Sequence, residues 1–297
     1  MPPSPPYSSL APSRDGHVLR WQPDTPNGRD VVLLHGFLDA AGSWDLVAPT
    51  LAAEGFRVWA LDLRGHGEGH RIDPDDYYHF PDYLLDLERL LALHPELSRP
   101  FVLVGHSMGG MVATLFAGTF PERVDHLVVI EGIGPPETDT ETTPERMRGF
   151  VEGVRAIRDK PAAAALPRAD LLRRLELAHP KLSTELLASR LPHLTEERAD
   201  GTLVWRYDPL HRTRGPFPFR VSMFQRFAER ITAPVLYVTG GVNGFRVTGE
   251  DDRLQSFRSL RRLDLEGAGH MIHWTRPTEL ARAIVEHAAV PMDQPDQ

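Results

Sequence analysis

The amino-acid sequence predicts an α/β protein whose core is a mostly parallel, doubly wound sheet. Short apolar runs alternate with amphipathic segments before residue 133 and again after residue 231, which is the pattern of βαβ units. The runs "VVLL", "FVLV" and "LVVI" are almost continuously apolar, as in strands that helices cover on both faces. Between these two stretches the periodicity is helical, so we expect a helical insertion to interrupt the sheet.

The first part of the core, residues 1–133, contains five expected strands and three expected helices, the first of which is closed by Gly55. Residues 1–14, with five prolines in the first 13 positions, are expected to form a flexible lead rather than a signal peptide. In chain order the expected strands are "HVLRWQ", "DVVLLHG", "FRVWALDLRG", "PFVLVG" and "DHLVVIEG", and the helices are "SWDLVAPTLAAEG", "FPDYLLDLERLLALH" and "GMVATLFAGTF".

The insertion is placed at residues 134–230, with helices in "ERMRGFVEGVRAIRDK" and "RADLLRRLELAHPKLSTELLASRL" and no convincing strand before "TLVWRYDP". The second part of the core, residues 231–297, supplies the strands "PVLYVTG" and "LRRLDLEG", the helix "RPTELARAIVEHAAV" and a loose tail at 291–297. Because ligands of open α/β sheets bind beyond the carboxyl ends of the strands, an insertion leaving from that edge would roof the site.

Composition limits the classes of function. With 41% hydrophobic and 25% charged residues, the chain is typical of a soluble globular protein, and no apolar run approaches the roughly 18 residues of a membrane span. We therefore expect a cytoplasmic protein without a membrane partner. The net charge of -8 argues against a nucleic-acid partner. The absence of cysteine excludes disulfides, a cysteine nucleophile and thiolate metal sites. Oligomeric state is not indicated.

The stretch "LVGHSMGGMV" carries the first chemical signal. An apolar strand stops at a glycine, presents Ser107, and resumes as a helix. A strand that reverses sharply into a helix brings backbone too close for side chains at the positions two before and two after its apex, and here these are Gly105 and Gly109. The pattern is the G-x-S-x-G nucleophile elbow, which predicts that Ser107 is a nucleophile.

Four segments in order, "LLHGFLDAAGSW", "LDLRGHGEG", "GHSMGG" and "GAGHMIHW", resemble the α/β-hydrolase fold superfamily, in which a cap follows the sixth core strand. The first of them is similar to the branch of serine hydrolase-like esterases. The resemblance covers the chain outside its tails and is poorest in the insertion. It implies a serine hydrolase that cleaves a small-molecule carboxylic ester or lactone through an acyl-enzyme, with no cofactor.

A serine nucleophile needs a base, and the base needs an orienting acid. In "GAGHMIHW" the resemblance places the base at His270; the alternatives are that His270 has a structural role or that His273 is the base. Most relatives carry the acid after the strand equivalent to "PVLYVTG", where this chain has Asn243.

Some relatives with a cap carry the acid at the end of the sixth strand instead, where this chain has Glu131. An acidic residue that closes an apolar strand is costly to bury without a partner. We therefore expect Glu131 to be the acid, with Asp251 and Asp252 as rivals.

By resemblance, the backbone N–H groups of Phe37 and Met108 form the oxyanion hole. In the insertion, the aromatic residues Trp205 and Tyr207 could line the substrate pocket, although packing of the insertion on the core explains them equally well. The 14 histidines contain no H-E-x-x-H pattern, so no metal centre is expected.

Two other readings remain open. The same triad supports hydrolysis of a carbon–carbon bond or cofactor-free perhydrolysis. In a different class, the chain could be a ligand receptor without catalytic activity. The complete set of serine, histidine and acid speaks against a receptor, and Asn243 is the one residue that favours it.

Overall fold

An eight-stranded sheet forms the centre of the protein in the computed structural model, which describes residues 7–13, 16–97, 100–160 and 165–291. Its strands are β1 (Ser8–Ser13), β2 (Gly16–Trp21), β3 (Asp30–Leu34), β4 (Arg57–Asp62), β5 (Phe101–His106), β6 (Val124–Ile130), β9 (Val235–Thr239) and β10 (Leu260–Asp264). Two further strands, β7 (Thr195–Glu197) and β8 (Leu203–Trp205), form a separate small sheet.

The sheet order is β1-β2-β4-β3-β5-β6-β9-β10. β2 runs antiparallel to both β1 and β4, whereas every pair from β4 to β10 is parallel. The predicted mostly parallel α/β sheet is therefore confirmed.

Helices cover both faces of this sheet. Along β3, Val32 and Leu34 point to one apolar cluster, and Val31 and Leu33 point to the other, because successive side chains of a strand alternate. The helices are α1 (Ala48–Ala53), α2 (Asp82–Leu93), α3 (Met108–Thr119), α4 (Thr143–Arg158), α5 (Arg168–Ala178), α6 (Thr184–Leu194), α7 (Val221–Ala228), α8 (Glu250–Leu254), α9 (Ile272–Thr275) and α10 (Pro277–Ala288). Helices α2, α3 and α7 pack on the first face, and α1 and α10 pack on the second.

The segment predicted as a flexible lead contains a strand. Its described residues form β1, which pairs with the edge strand β2. Composition misled here because edge pairing uses backbone groups, and Pro12 falls where the register of the pair shifts, a position that tolerates proline. The rest of the predicted lead, residues 1–6 and 14, and residues 292–297 of the predicted tail lie outside the described residues.

The chain between β6 and β9 holds α4 to α7 and a two-stranded sheet of β7 and β8. The segment predicted as helical at "RADLLRRLELAHPKLSTELLASRL" is divided into α5 and α6. Pro180 disfavours helical geometry in the residue before it, and Ser183 caps α6 by accepting the Leu186 N–H at 3.2 Å. Strand β8 lies in "TLVWRYDP", the first segment of the insertion in which the sequence left room for a strand, whereas β7 was missed because three residues are too few to display a period.

Helices α5 and α6 of the insertion share an apolar cluster, whereas α4 has no buried residue. The cluster also includes Met271 and Trp274, which belong to the second part of the core, so these two helices pack directly on the core beside α9. The members from α5 and α6 are Leu171, Leu175, Leu187, Leu191 and Leu194. None of the described helices is long and apolar enough to cross a membrane.

Asp45 ties α6 to the core. Its carboxylate accepts from Arg190 Nη1 at 2.5 Å and Nη2 at 3.3 Å, and lies 3.0 Å from His193 Nε2. Burial opposes ionisation of Asp45, but the hydrogen bonds from His193 and Arg190 outweigh it and lower the pKa of the carboxyl group. Arg190 is almost fully buried, so the ion pair satisfies a charge that water cannot reach.

Asp45→Asn is expected to lower the free energy of unfolding by about 3 kcal/mol at pH 7, because Arg190 would keep its buried charge without a partner. The pKa of Asp45 is lower in the folded state, so its contribution is fully present above the unfolded pKa and is lost as the pH falls through the folded value. The difference between wild type and variant should therefore shrink below about pH 4. Urea unfolding at several pH values measures it.

The matched control is Glu229→Gln, which removes the exposed pair of Glu229 with Arg226. It should change stability by less than about 0.5 kcal/mol. An Asp45→Asn effect equally small at pH 7 would show that the ion pair does not hold α6.

Candidate active site

Ser107 occupies the turn from β5 into α3 with φ 52° and ψ -114°, a strained conformation for a residue with a side chain. Its flanking glycines are sterically required. A Cβ at Gly105 would lie 2.2 Å from the Gly109 carbonyl oxygen, and a Cβ at Gly109 would lie 2.5 Å from the Leu34 carbonyl oxygen. The backbone contacts therefore present the Ser107 hydroxyl at the carboxyl edge of the sheet.

A hydrogen-bonded chain joins Ser107, His270 and Glu131. Ser107 Oγ lies 3.1 Å from His270 Nε2, and His270 Nδ1 lies 2.9 Å from Glu131 Oε2. Because a carboxylate only accepts, His270 donates its Nδ1–H to Glu131 and leaves Nε2 as the acceptor for the serine hydroxyl. The arrangement is that of a nucleophile, a base and an orienting acid.

The Glu131 carboxylate is buried and accepts from three further donors. Oε1 accepts from the Gly240 N–H at 2.6 Å and from Thr239 Oγ1 at 3.1 Å, and Oε2 accepts from the Phe245 N–H at 2.6 Å. Only 2% of Glu131 is exposed, so these bonds replace its hydration.

Strand order explains how an acid after β6 reaches the histidine. β6 lies between β5 and β9, and the Ser107 N–H donates to the Ile130 carbonyl at 2.8 Å, while the Glu131 N–H donates to the Val238 carbonyl at 3.0 Å. These hydrogen bonds align the carboxyl ends of β5, β6 and β9. Glu131 has φ 47°, a left-handed conformation that accompanies this close join.

The rival acids lie elsewhere. Asp251 and Asp252 are exposed residues in the first turn of α8, and Asp251 is 3.9 Å from Arg262 Nη1. Asn243 accepts from Lys181 Nζ of the insertion at 2.9 Å. The carboxylate that meets His270 is that of Glu131.

His273 is fully buried, and the histidine that meets Ser107 Oγ is His270. The Nε2 atom of His273 lies 3.2 Å from Asp39 Oδ2. Burial, together with the neighbouring His270 and Arg190, lowers the pKa of His273 although Asp39 raises it. For Asp39, burial raises the pKa, but His273, His35 and Ser43 together outweigh burial and lower it. A neutral His273 therefore donates to an ionised Asp39 at neutral pH.

The oxyanion role of Phe37 and Met108 stays a prediction, and the structure describes where their backbone lies: Met108 follows the serine, and a Cβ at Gly36, the residue before Phe37, would lie 3.4 Å from Ser107 Cβ. Met108 is the first residue of α3, and the N–H groups of a first helical turn have no partners within their own helix. Phe37 follows Gly36, whose carbonyl lies 2.7 Å from His35 Nδ1, while His35 Nε2 accepts the Leu63 N–H at 3.1 Å. His35 thus fixes the turn that carries the Phe37 N–H.

The structure leaves the predicted substrate contacts of Trp205 and Tyr207 untested. Trp205 packs against the apolar cluster of α5 and α6, and its ring stacks on Tyr207 with centroids 5.8 Å apart. What the structure describes for Trp205 is packing within the insertion, so a role in binding stays a prediction for both residues.

One group of described residues, Asp39, His106 and His273, has potential metal-ligand atoms within 4.8 Å of one another. Hydrogen bonds already engage Asp39 with His273, and His106 with the His270 carbonyl. Each of the three residues thus already has a hydrogen-bond partner, and the expectation of no metal stays a prediction.

Sequence reasoning missed the loop at 239–245 that supports the acid. Backbone N–H groups leave no residue-type signal, and the one available sign was Gly244, where a Cβ would lie 1.9 Å from Glu131 Oε1. It also missed Asp39 and His106, which are buried polar residues that only the folded arrangement connects.

A mostly parallel sheet with a serine, a histidine and an acid on loops at its carboxyl edge is the architecture of the α/β hydrolases. The chain belongs to the α/β hydrolase fold family, whose sequence pattern matches residues 31–277.

Relatives and solved structures agree with this family. The chain is 31% identical to an esterase of Mycobacterium tuberculosis, over 91% of this chain and 83% of that protein. It is 27% identical to a serine hydrolase-like protein of Danio rerio, over 90% of this chain and 82% of that protein. A thioesterase domain from the curacin biosynthetic pathway superposes with a TM-score of 0.78 at 26% identity, covering 94% of this chain and 98% of that domain.

Gly244→Ala is expected to displace the Glu131 carboxylate, because the new Cβ would overlap Oε1 while the backbone of Gly244, with φ -76°, accepts alanine without strain. A displacement near 1 Å should lower kcat for ester hydrolysis by about 10²-fold. Steady-state kinetics and thermal unfolding measure the two effects separately.

Gly215→Ala is the control, since nothing lies within 4 Å of its Cβ. It should leave kcat unchanged. If Gly244→Ala also keeps its full kcat, the position of Glu131 is not set by this contact.

Proposed function

We propose that the protein is a serine esterase that hydrolyses a carboxylic ester or lactone of a small to medium hydrophobic molecule. The observation that carries the proposal is the hydrogen-bonded chain from Ser107 through His270 to Glu131. The 31% identity to an esterase supports ester hydrolysis as the reaction class.

Acylation follows from this geometry. Ser107 Oγ attacks the ester carbonyl while His270 Nε2 takes the hydroxyl proton, since that nitrogen carries the free lone pair. The imidazolium that forms is stabilised by the Glu131 carboxylate at Nδ1. The N–H groups of Phe37 and Met108 donate to the oxyanion of the tetrahedral intermediate. His270 then returns the proton to the leaving alcohol oxygen, and the acyl-enzyme remains.

Deacylation repeats the same steps with water. His270 accepts a proton from the attacking water and returns it to Ser107 as the acyl group leaves as a carboxylic acid. One nucleophile and one base thus serve both half-reactions, and a lactone opens by the same route.

Exposed aromatic side chains beside the site favour an apolar substrate. Phe37, in the proposed oxyanion turn, is 50% exposed, and Phe245, whose ring centroid lies 5.5 Å from that of His270, is 44% exposed. Large aromatic groups left open to solvent at a site provide surface that an apolar ligand would cover. The insertion, placed at residues 134–230 between β6 and β9, is the proposed cap over this surface.

Ser107→Ala should reduce kcat by about 10⁴-fold or more without loss of the fold, because the residual rate comes from the oxyanion donors and binding alone. Wild-type protein should react with a fluorophosphonate probe at Ser107, and the variant should not. Kinetics with a p-nitrophenyl ester and mass spectrometry of the labelled peptide provide the measurements. An unlabelled wild-type protein would favour the ligand-receptor reading, and an active Ser107→Ala protein would exclude this mechanism.

Glu131→Gln should cost a large share of a factor of about 10⁴ in kcat, because a neutral side chain cannot stabilise the imidazolium and can favour the wrong histidine tautomer. The rival residues provide the controls: Asp251→Asn and Asp252→Asn should stay within a few-fold of wild type. Adding Asn243→Asp to Glu131→Gln tests whether a carboxylate at the commoner position restores activity. Full activity of Glu131→Gln, with a loss in either aspartate variant, would move the acid to the later loop.

A further inference from the structure

The His106 side chain lies behind the histidine of the site and is bonded to its backbone. Its Nε2 is 2.9 Å from the His270 carbonyl oxygen. Its ring centroid is 4.8 Å from that of His270 and 4.5 Å from that of His273. With 1% of the residue exposed, His106 contacts protein on every side and has no access to a substrate.

The tautomer of His106 follows from its partner. A carbonyl oxygen only accepts, so Nε2 carries the proton and donates it. Burial lowers the pKa of His106 well below its usual value, with His273 and His270 adding in the same direction, so the ring is neutral. Nδ1 has no hydrogen-bond partner within the described part of the chain and faces Gly36, where a Cβ would lie 2.7 Å away.

The hydrogen bond from His106 to the His270 carbonyl completes a closed circuit of contacts that includes Ser107 and His270. His106 is joined by a peptide bond to Ser107, whose Oγ meets the His270 side chain at 3.1 Å, and the His270 carbonyl returns to His106 at 2.9 Å. The nucleophile and the support for the base thus belong to consecutive residues of the same turn. The hydrogen bond therefore links the elbow to the backbone of His270.

A second tie connects the same region to the oxyanion turn. His273, three residues after His270, bonds Asp39 at 3.2 Å, and the Asp39 N–H donates to the Gly36 carbonyl at 3.3 Å. The ring of His106 therefore packs between His270 and a residue that is anchored to the Phe37 turn. The His106 imidazole thus contacts the loop that carries His270 and packs against His273, which is tied to the oxyanion turn.

We infer that His106 is a positioning residue for His270, which holds the base at proton-transfer distance from Ser107 through a hydrogen bond to its backbone carbonyl. This inference rests on the proposed function, because it assigns His106 a kinetic effect only if His270 is the base. The residue acts through His270 and touches no reacting atom.

The test compares two replacements of similar size. His106→Met fills the space without a donor, and His106→Gln keeps an N–H group at the end of the side chain. His106→Met should lower kcat for a p-nitrophenyl ester by about 10²-fold, as expected for a misplacement near 1 Å, with KM within about 3-fold of wild type. His106→Gln should restore kcat to within about 5-fold of wild type.

His287→Met is the matched control, because His287 is also a buried histidine whose Nε2 donates to a backbone carbonyl, that of Pro234, at 3.1 Å. Pro234 precedes β9 and so lies at the amino ends of the parallel strands, whereas the site lies at their carboxyl ends. His287→Met should lower the Tm as His106→Met does and leave kcat unchanged. If His106→Met does not fold, His106→Asn replaces it, since its amide is one carbon too short to reach the carbonyl.

Three results would overturn the inference. The first is a wild-type kcat in His106→Met, or in His106→Asn where that variant replaces it. The others are a loss of kcat in His106→Gln or in His287→Met as large as that in His106→Met. Each is distinct from failure of the proposed function. An inactive Ser107→Ala protein together with a fully active His106→Met protein removes the positioning role alone. An active Ser107→Ala protein removes the proposed function itself.

Discussion

The buried carboxylate of Glu131, at the carboxyl end of a central strand, needs a hydrogen-bond donor for each of its oxygens. The arrangement of the site depends on meeting this requirement. Among the described residues, the four hydrogen-bond partners of this carboxylate come from the end of β9, the loop that follows β9 and the loop that follows β10. These segments can meet only because β6 and β9 are neighbours in the sheet. The charge thus fixes the conformations of the surrounding loops, because a loop conformation that lacked one of these hydrogen bonds would leave part of a buried anion unpaired.

Backbone contact sets the precision of the site. A Cβ at Gly132 would lie 2.5 Å from the Ser107 carbonyl oxygen, and one at Gly240 would lie 2.2 Å from the Gly269 carbonyl oxygen. Main chains in such contact cannot slide as flexible side chains do. Consequently, the distances among serine, histidine and acid are defined by packed main chain and hydrogen bonds together.

The fold was largely predictable because its signals are local. Apolar runs marked β3, β5, β6 and β9, and glycine spacing marked the turn at Ser107. The prediction for Glu131 combined the resemblance to relatives with a cap and a local signal, an acidic residue closing an apolar strand. By contrast, β1 depends on pairing with β2, and the partners of Asp39, His106 and the Phe245 N–H depend on contacts between distant segments. No single segment encodes those contacts, so sequence reasoning could not find them.

Helix α4 has no buried residue, although it begins only a dozen positions after Glu131. The leucines of α5 and α6 anchor those helices, but α4 carries little of the packing that stabilises the protein. Substitutions on an exposed helix surface usually change stability by no more than about 0.5 kcal/mol. The exposed positions of α4 are therefore free to drift during evolution, and descendants of this chain could diversify that surface while the chemistry beneath it stays constant.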